Sequence, residues 1–342
     1  MNGQPVRDRR ATVPDPAVGV GHSHAKAILL GEHTVVHGTP AVAFPLPALP
    51  VRAIARRGLH DTDFGPGAAG HFRFSVGAVG ADGTESGPRV AVEEALRRWG
   101  LGGEPVEVRI DCDIPLARGL GSSAACAGAA VRAVADLYGR IVDPGSLYEL
   151  VQCGEQVAHG RASGIDAGAV LASGPILFER GIARPIAFAV DADLVLADTG
   201  VPGSTQQAVA GVRRRLARDP RAARGQLDRA DALITSAAAD LAAGRTAALG
   251  AAMLEFQGLL AELGVSTPQI DELVRAALDA GAFGAKLTGA GLGGCVLALA
   301  ATGTAPAVRD ALRRAGAVRT WTVTAQSLRS SPTPIPEREI TS

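Results

Sequence analysis

The run Pro115-Leu-Ala-Arg-Gly-Leu-Gly-Ser-Ser-Ala-Ala125 constrains this chain more than any other stretch. Its two glycines free the backbone for a tight loop, and the alanines that follow favour a helix from Ser122 to Tyr138. A loop that runs straight into a helix offers backbone N–H groups and a positive helix end, a combination suited to a phosphate. The common P-loop closes on Gly-Lys-Ser/Thr. No lysine ends this one, so a nucleotide held here needs its lysine from another segment.

Composition narrows the partners. The 342 residues carry 34 Lys+Arg and 34 Asp+Glu, a balance that lacks the basic footprint of a nucleic-acid binder but leaves room for an anionic small molecule. Length favours two domains, and 47% hydrophobic residues are enough for real cores. Cys112, Cys126, Cys153 and Cys295 form no CxxC pair and read as buried free thiols of a reducing compartment. No basic start leads into an apolar run, and no stretch of about eighteen apolar residues could span a membrane. The expected location is the cytoplasm.

Residues 1–17 are polar and read as a disordered arm, and the proline-bearing tail 329–342 as flexible. Three strands are expected at Ala27–Leu30, Ala41–Phe44 and Val51–Ile54, and a short one around Phe72 and Phe74 within the glycine-rich stretch 63–89. Arg89–Trp99 reads as a helix, Val106–Asp111 as a strand, and 145–159 as a helix ending near Gly160. Apolar sequence occupies 168–178, and Gly181 with Pro185 marks a boundary between a domain at 18–184 and another at 185–328. The second holds a strand at Leu194–Asp198, helices at about 205–217, 221–243, 246–263 and Thr267–Ala280, a strand at Val296–Ala300, a helix at 305–315 and a strand at 319–325. This order lacks the regular rhythm of a doubly wound sheet. Two α/β sandwiches with mostly antiparallel sheets are expected.

Four of the seven histidines crowd between His22 and His37. Lys26 opens an apolar strand there, and Glu32 and His33 follow its end after Gly31. A solvated edge explains one such residue better than it explains the cluster. His22 and His24 lack further ligands at metal spacing, which argues against zinc. Glu155, within an apolar-faced helix, and Asp166, at the end of Ser-Gly-Ile-Asp, could be a surface carboxylate and a turn cap. Paired with a phosphate loop they suit a phosphotransferase, which holds a divalent cation by oxygen ligands and orients an acceptor hydroxyl.

Three blocks carry a specific resemblance: Lys26–Gly38, Pro115–Ala125 and Lys286–Cys295. In order and spacing they are similar to the motifs of the GHMP small-molecule kinase superfamily, over about residues 18–326. Within it, Ala25–Gly38, Glu155–Asp166 and Asp198–Thr205 most resemble the bacterial-type mevalonate kinases. The resemblance implies an α+β fold of two domains, an N-terminal ribosomal protein S5 domain 2-like domain that binds ATP and a C-terminal ferredoxin-like sandwich. It implies ATP and Mg2+, with mevalonate as the acceptor, no nucleic-acid or membrane partner, and is compatible with a homodimer. Asp166 resembles the carboxylate that faces the acceptor hydroxyl, and Lys26 the lysine beside it. Ser123 and Glu155 resemble magnesium ligands. Pro115, Arg118, Gly119, Leu120, Gly121, Ser122, Ser123 and Ala124 correspond to the ATP-phosphate loop. Glu32, His33, Thr205, Gly289 and Ala290 correspond to the acceptor side, and His22 or His24 is a candidate for the acceptor carboxylate. Ser204 is a weaker candidate.

Ala25, Arg118, Leu292 and His37 depart from the commoner family residues. None of these changes removes a reactive group. Arg118 could touch a phosphate or face solvent. A phosphomevalonate kinase, a mevalonate 3-kinase or a sugar kinase of the same fold is the alternative, and a phosphorylated acceptor would call for more cations than Lys26, Arg118, Arg161 and Lys286. Intact Lys26 speaks against a decarboxylase relative.

Overall fold

The computed structural model describes residues 18–58, 71–76, 86–159 and 162–329. The arm at 1–17, the tail beyond Arg329, Arg161 and much of the glycine-rich stretch lie outside the described residues. The first half runs β1 (Val18–Leu30), a 3-10 turn (Val35–His37), β2 (Ala41–Arg57), β3 (His71–Val76), α1 (Gly87–Arg98), β4 (Val106–Cys112), α2 (Ser122–Leu137), α3 (Pro144–His159), α4 (Ile165–Leu171), β5 (Ile176–Glu179) and β6 (Ile182–Pro185). Its strands form one sheet in the order β3-β4-β2-β5-β6, with β1 also paired to β2, and every pairing is antiparallel. Helices α1 to α4 pack together, and α2 lies directly on β1 and β2.

Two expectations change here. The three short strands are two long ones, because β1 starts at Val18 and β2 runs through Pro45, Pro47 and Pro50. The ladder register jumps from His24↔Pro50 to Ala25↔Leu46, so Pro47–Leu49 bulge out of β2. Prolines without an N–H look like strand ends in sequence but sit at a bulge in the structure. Lys26 therefore lies inside β1, opposite Pro45, rather than opening a strand. The apolar stretch 168–178 divides into α4 and β5, while Gly181 turns the β5–β6 hairpin and Pro185 closes β6.

Close packing of α2 on β1 depends on small residues. A Cβ on Gly19 or Gly21 would fall 2.1 Å from the carbonyl oxygens of Ala133 and Ala129 respectively. An alanine-rich helix can approach a strand this closely only where the strand also lacks side chains.

The second half runs β7 (Ala192–Asp198), α5 (Thr205–Arg218), α6 (Pro220–Ala243), α7 (Thr246–Glu262), α8 (Pro268–Asp279), β8 (Gly284–Thr288), β9 (Cys295–Ala301), α9 (Ala305–Arg314), β10 (Arg319–Val323) and α10 (Ala325–Leu328). Its sheet has the order β10-β7-β9-β8 and is wholly antiparallel. Helices α7, α8 and α9 pack against it. This is the expected ferredoxin-like arrangement. Pro268 opens α8 behind the capping hydroxyl of Thr267, as its early position predicts. All four cysteines are free; Cys153 is half-buried and the other three are buried. No helix among the described residues is long and apolar enough to cross a membrane.

Candidate active site

The two halves meet where the three glycine-bearing blocks converge. Gly119 and Gly289 touch back to back: a Cβ on Gly119 would lie 2.8 Å from Gly289 Cα, and one on Gly289 2.6 Å from Gly119 Cα. Both hold positive φ, at +76° and +87°. Only glycine meets both demands cheaply. Nearby, Thr288 Oγ1 accepts from Ile28 N–H and donates to Ile28 O, each at 3.0 Å, which pins β8 to β1.

Gly121 precedes α2 with φ +71° and offers no side chain to cap it, so the first-turn N–H groups from Ser122 to Ala124 are left for another acceptor. A Cβ on Gly121 would strike the Lys26 side chain, 2.8 Å from Cγ. That gap lets Lys26 pass behind the loop. Its Nζ stands 2.9 Å from Asp166 Oδ1 and 3.0 Å from Gly119 O, and the residue is 2% exposed. The lysine that the loop lacks thus comes from β1. Asp166 occupies the first turn of α4 rather than ending a turn, and Gly164 before it has φ +94°. A side chain at 164 would collide with the Tyr148 hydroxyl.

Glu155 is buried in α3, not on its solvent face. Its negative charge helps push up the thiol of Cys126, after the larger effects of Cys112 and burial. Cys126 shares a helix face with Ser123, three residues earlier. A Cβ on Gly87 would lie 3.0 Å from both Ser123 Oγ and Gly154 O. The start of α1, the start of α2 and the Gly154–Glu155 step of α3 therefore crowd together.

The turn after β1 supplies the opposite wall. Gly31 has φ +114°, and His33 adopts the left-handed region at +63°. This costly conformation points Glu32 and His33 inward. Glu32 is 1% exposed and pairs with Lys286 of β8, which is wholly buried. Burial raises the Glu32 carboxyl above its usual range and Lys286 opposes that rise. Burial likewise lowers the Lys286 ammonium, against the pull of Glu32. His33 Nε2 meets Ala290 O at 2.8 Å and so carries the hydrogen, while burial keeps the ring below the usual histidine range. Its Nδ1 and Glu32 Oε2 find no hydrogen-bond partner among the described residues.

Lys26, Glu32, His33, Gly119, Asp166 and Ala290 line one cavity of about 130 Å3, together with Gln152, Glu155, Thr205, Gly289 and an apolar patch of Ile28, Val35, Val36 and Val209, while Ser123 and Lys286 are not among its lining residues. Lys26 is the only cation among the described lining residues, and it is already paired. Thr205 is an exposed first residue of α5 on the rim, whereas Ser204 caps that helix by accepting from Gln207 N–H.

Three sequence candidates lie elsewhere. His22 is exposed on β1 and His24 hydrogen-bonds Ala25 O; neither lines the cavity. Arg118 is half-buried and tied to the protein itself. Its Nε stands 2.7 Å from Asp198 Oδ1 and its second amine donates to Gly200 O at 3.0 Å, tying the loop to the end of β7. Lys286, a cleft cation with no evident partner in sequence, is paired with Glu32. A signal was available: of 34 Lys+Arg only Lys26 and Lys286 are lysines, and both are buried here. A compact ammonium fits such sites where a guanidinium fork does not.

The family model for the GHMP kinases N terminal domain matches residues 88–174, and that for the GHMP kinases C terminal matches 237–318. A mevalonate kinase of Pyrococcus horikoshii is 34% identical over 331 residues, covering 86% of this chain and 92% of its own. The crystal structure of the L. major mevalonate kinase in complex with R-mevalonate superposes with a TM-score of 0.73 at 25% identity, over 90% of this chain and 96% of that one. The mevalonate kinase of methicillin-resistant Staphylococcus aureus gives 0.65 at 29% identity, over 91% and 99%. With the matched motifs meeting in a single cleft, the chain belongs to the GHMP kinases.

Proposed function

We propose that this chain is an ATP-dependent mevalonate kinase that transfers the γ-phosphate to the primary hydroxyl of (R)-mevalonate, giving 5-phosphomevalonate and ADP. The observation that carries the acceptor class is the wall formed by Glu32 and His33. Glu32 Oε2 and His33 Nδ1 are both buried acceptors without protein donors, so they call for a ligand rich in hydroxyl groups. The apolar patch beside them suits a methyl-bearing carbon. With Lys26 already engaged, the described lining offers no spare cation for an acceptor that is already phosphorylated. The mevalonate kinase relatives support the same reading.

In this reading residues 18–184 form the ATP-binding domain and 185–328 its partner. The loop from Pro115 to Ala124 wraps the ATP phosphates with backbone N–H groups, and Arg118 acts by fixing the loop to Asp198 rather than by touching phosphate. Asp166 receives the acceptor hydroxyl and takes its proton as the P–O bond forms. Lys26 holds Asp166 and the loop in one frame and supplies fixed positive charge beside the transferred group. Thr205, Gly289 and Ala290 close the acceptor side.

Ser123 and Glu155 would hold Mg2+. One hydroxyl and one buried carboxylate make a fitting donor set for an ion that takes its other ligands from phosphates and water, and among the described residues no group of three or more His, Cys, Asp or Glu is placed to hold a metal ion. When bound, the ion neutralises charge on the β- and γ-phosphates. The same family likeness supports a cytoplasmic enzyme, without nucleic-acid or membrane partners, and a homodimer that light scattering would check. Phosphorus NMR of the product tests the site of transfer. A signal split by two methylene protons supports the 5-hydroxyl; an unsplit signal means the tertiary 3-hydroxyl and refutes it.

A further inference from the structure

A second cavity, of about 420 Å3, opens at the other end of the helices that carry the active site. Its walls come from the second half of α2, the start of α3, the end of α4 and the first residue of β5. Ser122 and Arg132 are ten residues apart on α2, about 15 Å at 1.5 Å per residue. The cavity shares no lining residue with the acceptor site.

Two kinds of group face it. Val142, Leu147, Leu171 and Ile176 give an apolar wall, and Arg132 and Arg140 bring guanidinium groups. Guanidiniums elsewhere on this chain are commonly paired with carboxylates, as in Arg98 with Glu149 and Arg245 with Asp240. Arg132 and Arg140 have no carboxylate within ion-pair reach among the described residues; Arg132 only donates to His22 O, at 2.7 Å. Asp136 also lines the cavity, yet its Oδ2 accepts the Val20 N–H at 2.8 Å and pairs with neither arginine. Burial lowers the Arg132 guanidinium from its ordinary value, a cost that a bound anion would relieve.

The geometry points to a second ligand site for a small amphipathic anion, with an oxyanion head on Arg132 and Arg140 and a short apolar body against Leu147 and Leu171. Arginine forks match carboxylate and phosphate equally, and the cavity volume falls in the range of ordinary small-molecule sites. The site is separate from the phosphate loop, so occupancy does not require the nucleotide site to be empty.

Calorimetric titration of the full chain with hexyl phosphate and with hexanoate tests this, with hexan-1-ol as the uncharged control and a saturating non-hydrolysable ATP analogue present throughout. At least one of the two anions binds at one per chain, and hexan-1-ol binds at least tenfold more weakly. Arg132→Met and Arg140→Gln each weaken the anion about tenfold, the loss of one charged hydrogen bond. Arg140 is exposed, so its variant folds even if removal of the Arg132 bond to β1 disturbs the sheet. Equal binding of alcohol and anion overturns the proposal. So does binding that neither substitution weakens, or binding seen only without the ATP analogue, which would place the probe on the phosphate loop.

Discussion

Lys286→Met should destabilise the protein far more than a surface charge change, and Glu32→Gln should rescue it. Lys286 and Glu32 are 0% and 1% exposed, so neither can regain water when its partner is lost. Methionine keeps most of the apolar stem against Phe256, whose ring centroid lies 5.7 Å from the ammonium. What disappears is the charge, leaving a buried carboxylate whose Oε2 already lacks a donor. Breaking a buried pair from one side costs about 3–5 kcal/mol, whereas replacing both charges is close to neutral. The double variant should therefore recover at least half of the loss. Urea midpoints followed by tryptophan fluorescence read this out, since Trp99 ends α1 in the first half and Trp321 lies on β10 in the second. The acceptor KM should rise in Lys286→Met, because Glu32 loses the group that orients it. A single-variant loss below about 1 kcal/mol, or losses that add within about 0.5 kcal/mol, would refute the reasoning.

Asp166→Asn should lower kcat by about 10²–10⁴-fold while ATP affinity is largely kept, since the amide preserves shape but cannot take the hydroxyl proton; rapid-quench turnover with a separate nucleotide titration checks both halves. Gly119→Ala forces a Cβ to 2.8 Å from Gly289 Cα at φ +76°. It should cost about 1–2 kcal/mol in backbone strain alone and weaken ATP by at least about tenfold through the displaced loop, measured by nucleotide titration. His24, His33 and His37 are all held by burial below the ordinary histidine value of about 6.5. Below that pH the unfolded chain binds protons that the folded chain refuses, so stability falls as pH drops through 6.5 toward the lowered folded values. Urea midpoints between about pH 7.5 and 5.5 should show the fall, and His33→Asn should flatten it.

Local patterns made much of the fold readable. Alternation located β4, and a glycine loop followed by alanines located α2 and the loop before it. Thr267 and Pro268 signalled the start of α8 through capping chemistry. The misread places are those where distant segments decide the outcome. Prolines that look like strand ends in β2 flank or occupy a bulge, with Pro45 and Pro50 paired to β1 and Pro47 between them, which a local window cannot contain. Asp166 reads as a turn residue because α4 is short and is fixed by packing against β1 and β2. Arg118 was ambiguous because its partner Asp198 lies 80 residues away. The Glu32–Lys286 pair spans 254 residues, and only the scarcity of lysine hints at it. His22 and His24 show the reverse case: they are near Lys26 in sequence, yet His22 is exposed, His24 is bonded to Ala25 O, and neither lines the cavity.

The most direct test is ADP release from purified protein with Mg-ATP and a panel of acceptors. Turnover with (R)-mevalonate, and little with phosphomevalonate, galactose or homoserine, is the predicted result. Turnover on phosphomevalonate or galactose with none on mevalonate would contradict the assignment of the Glu32–His33 wall to a hydroxyl-rich, unphosphorylated acceptor.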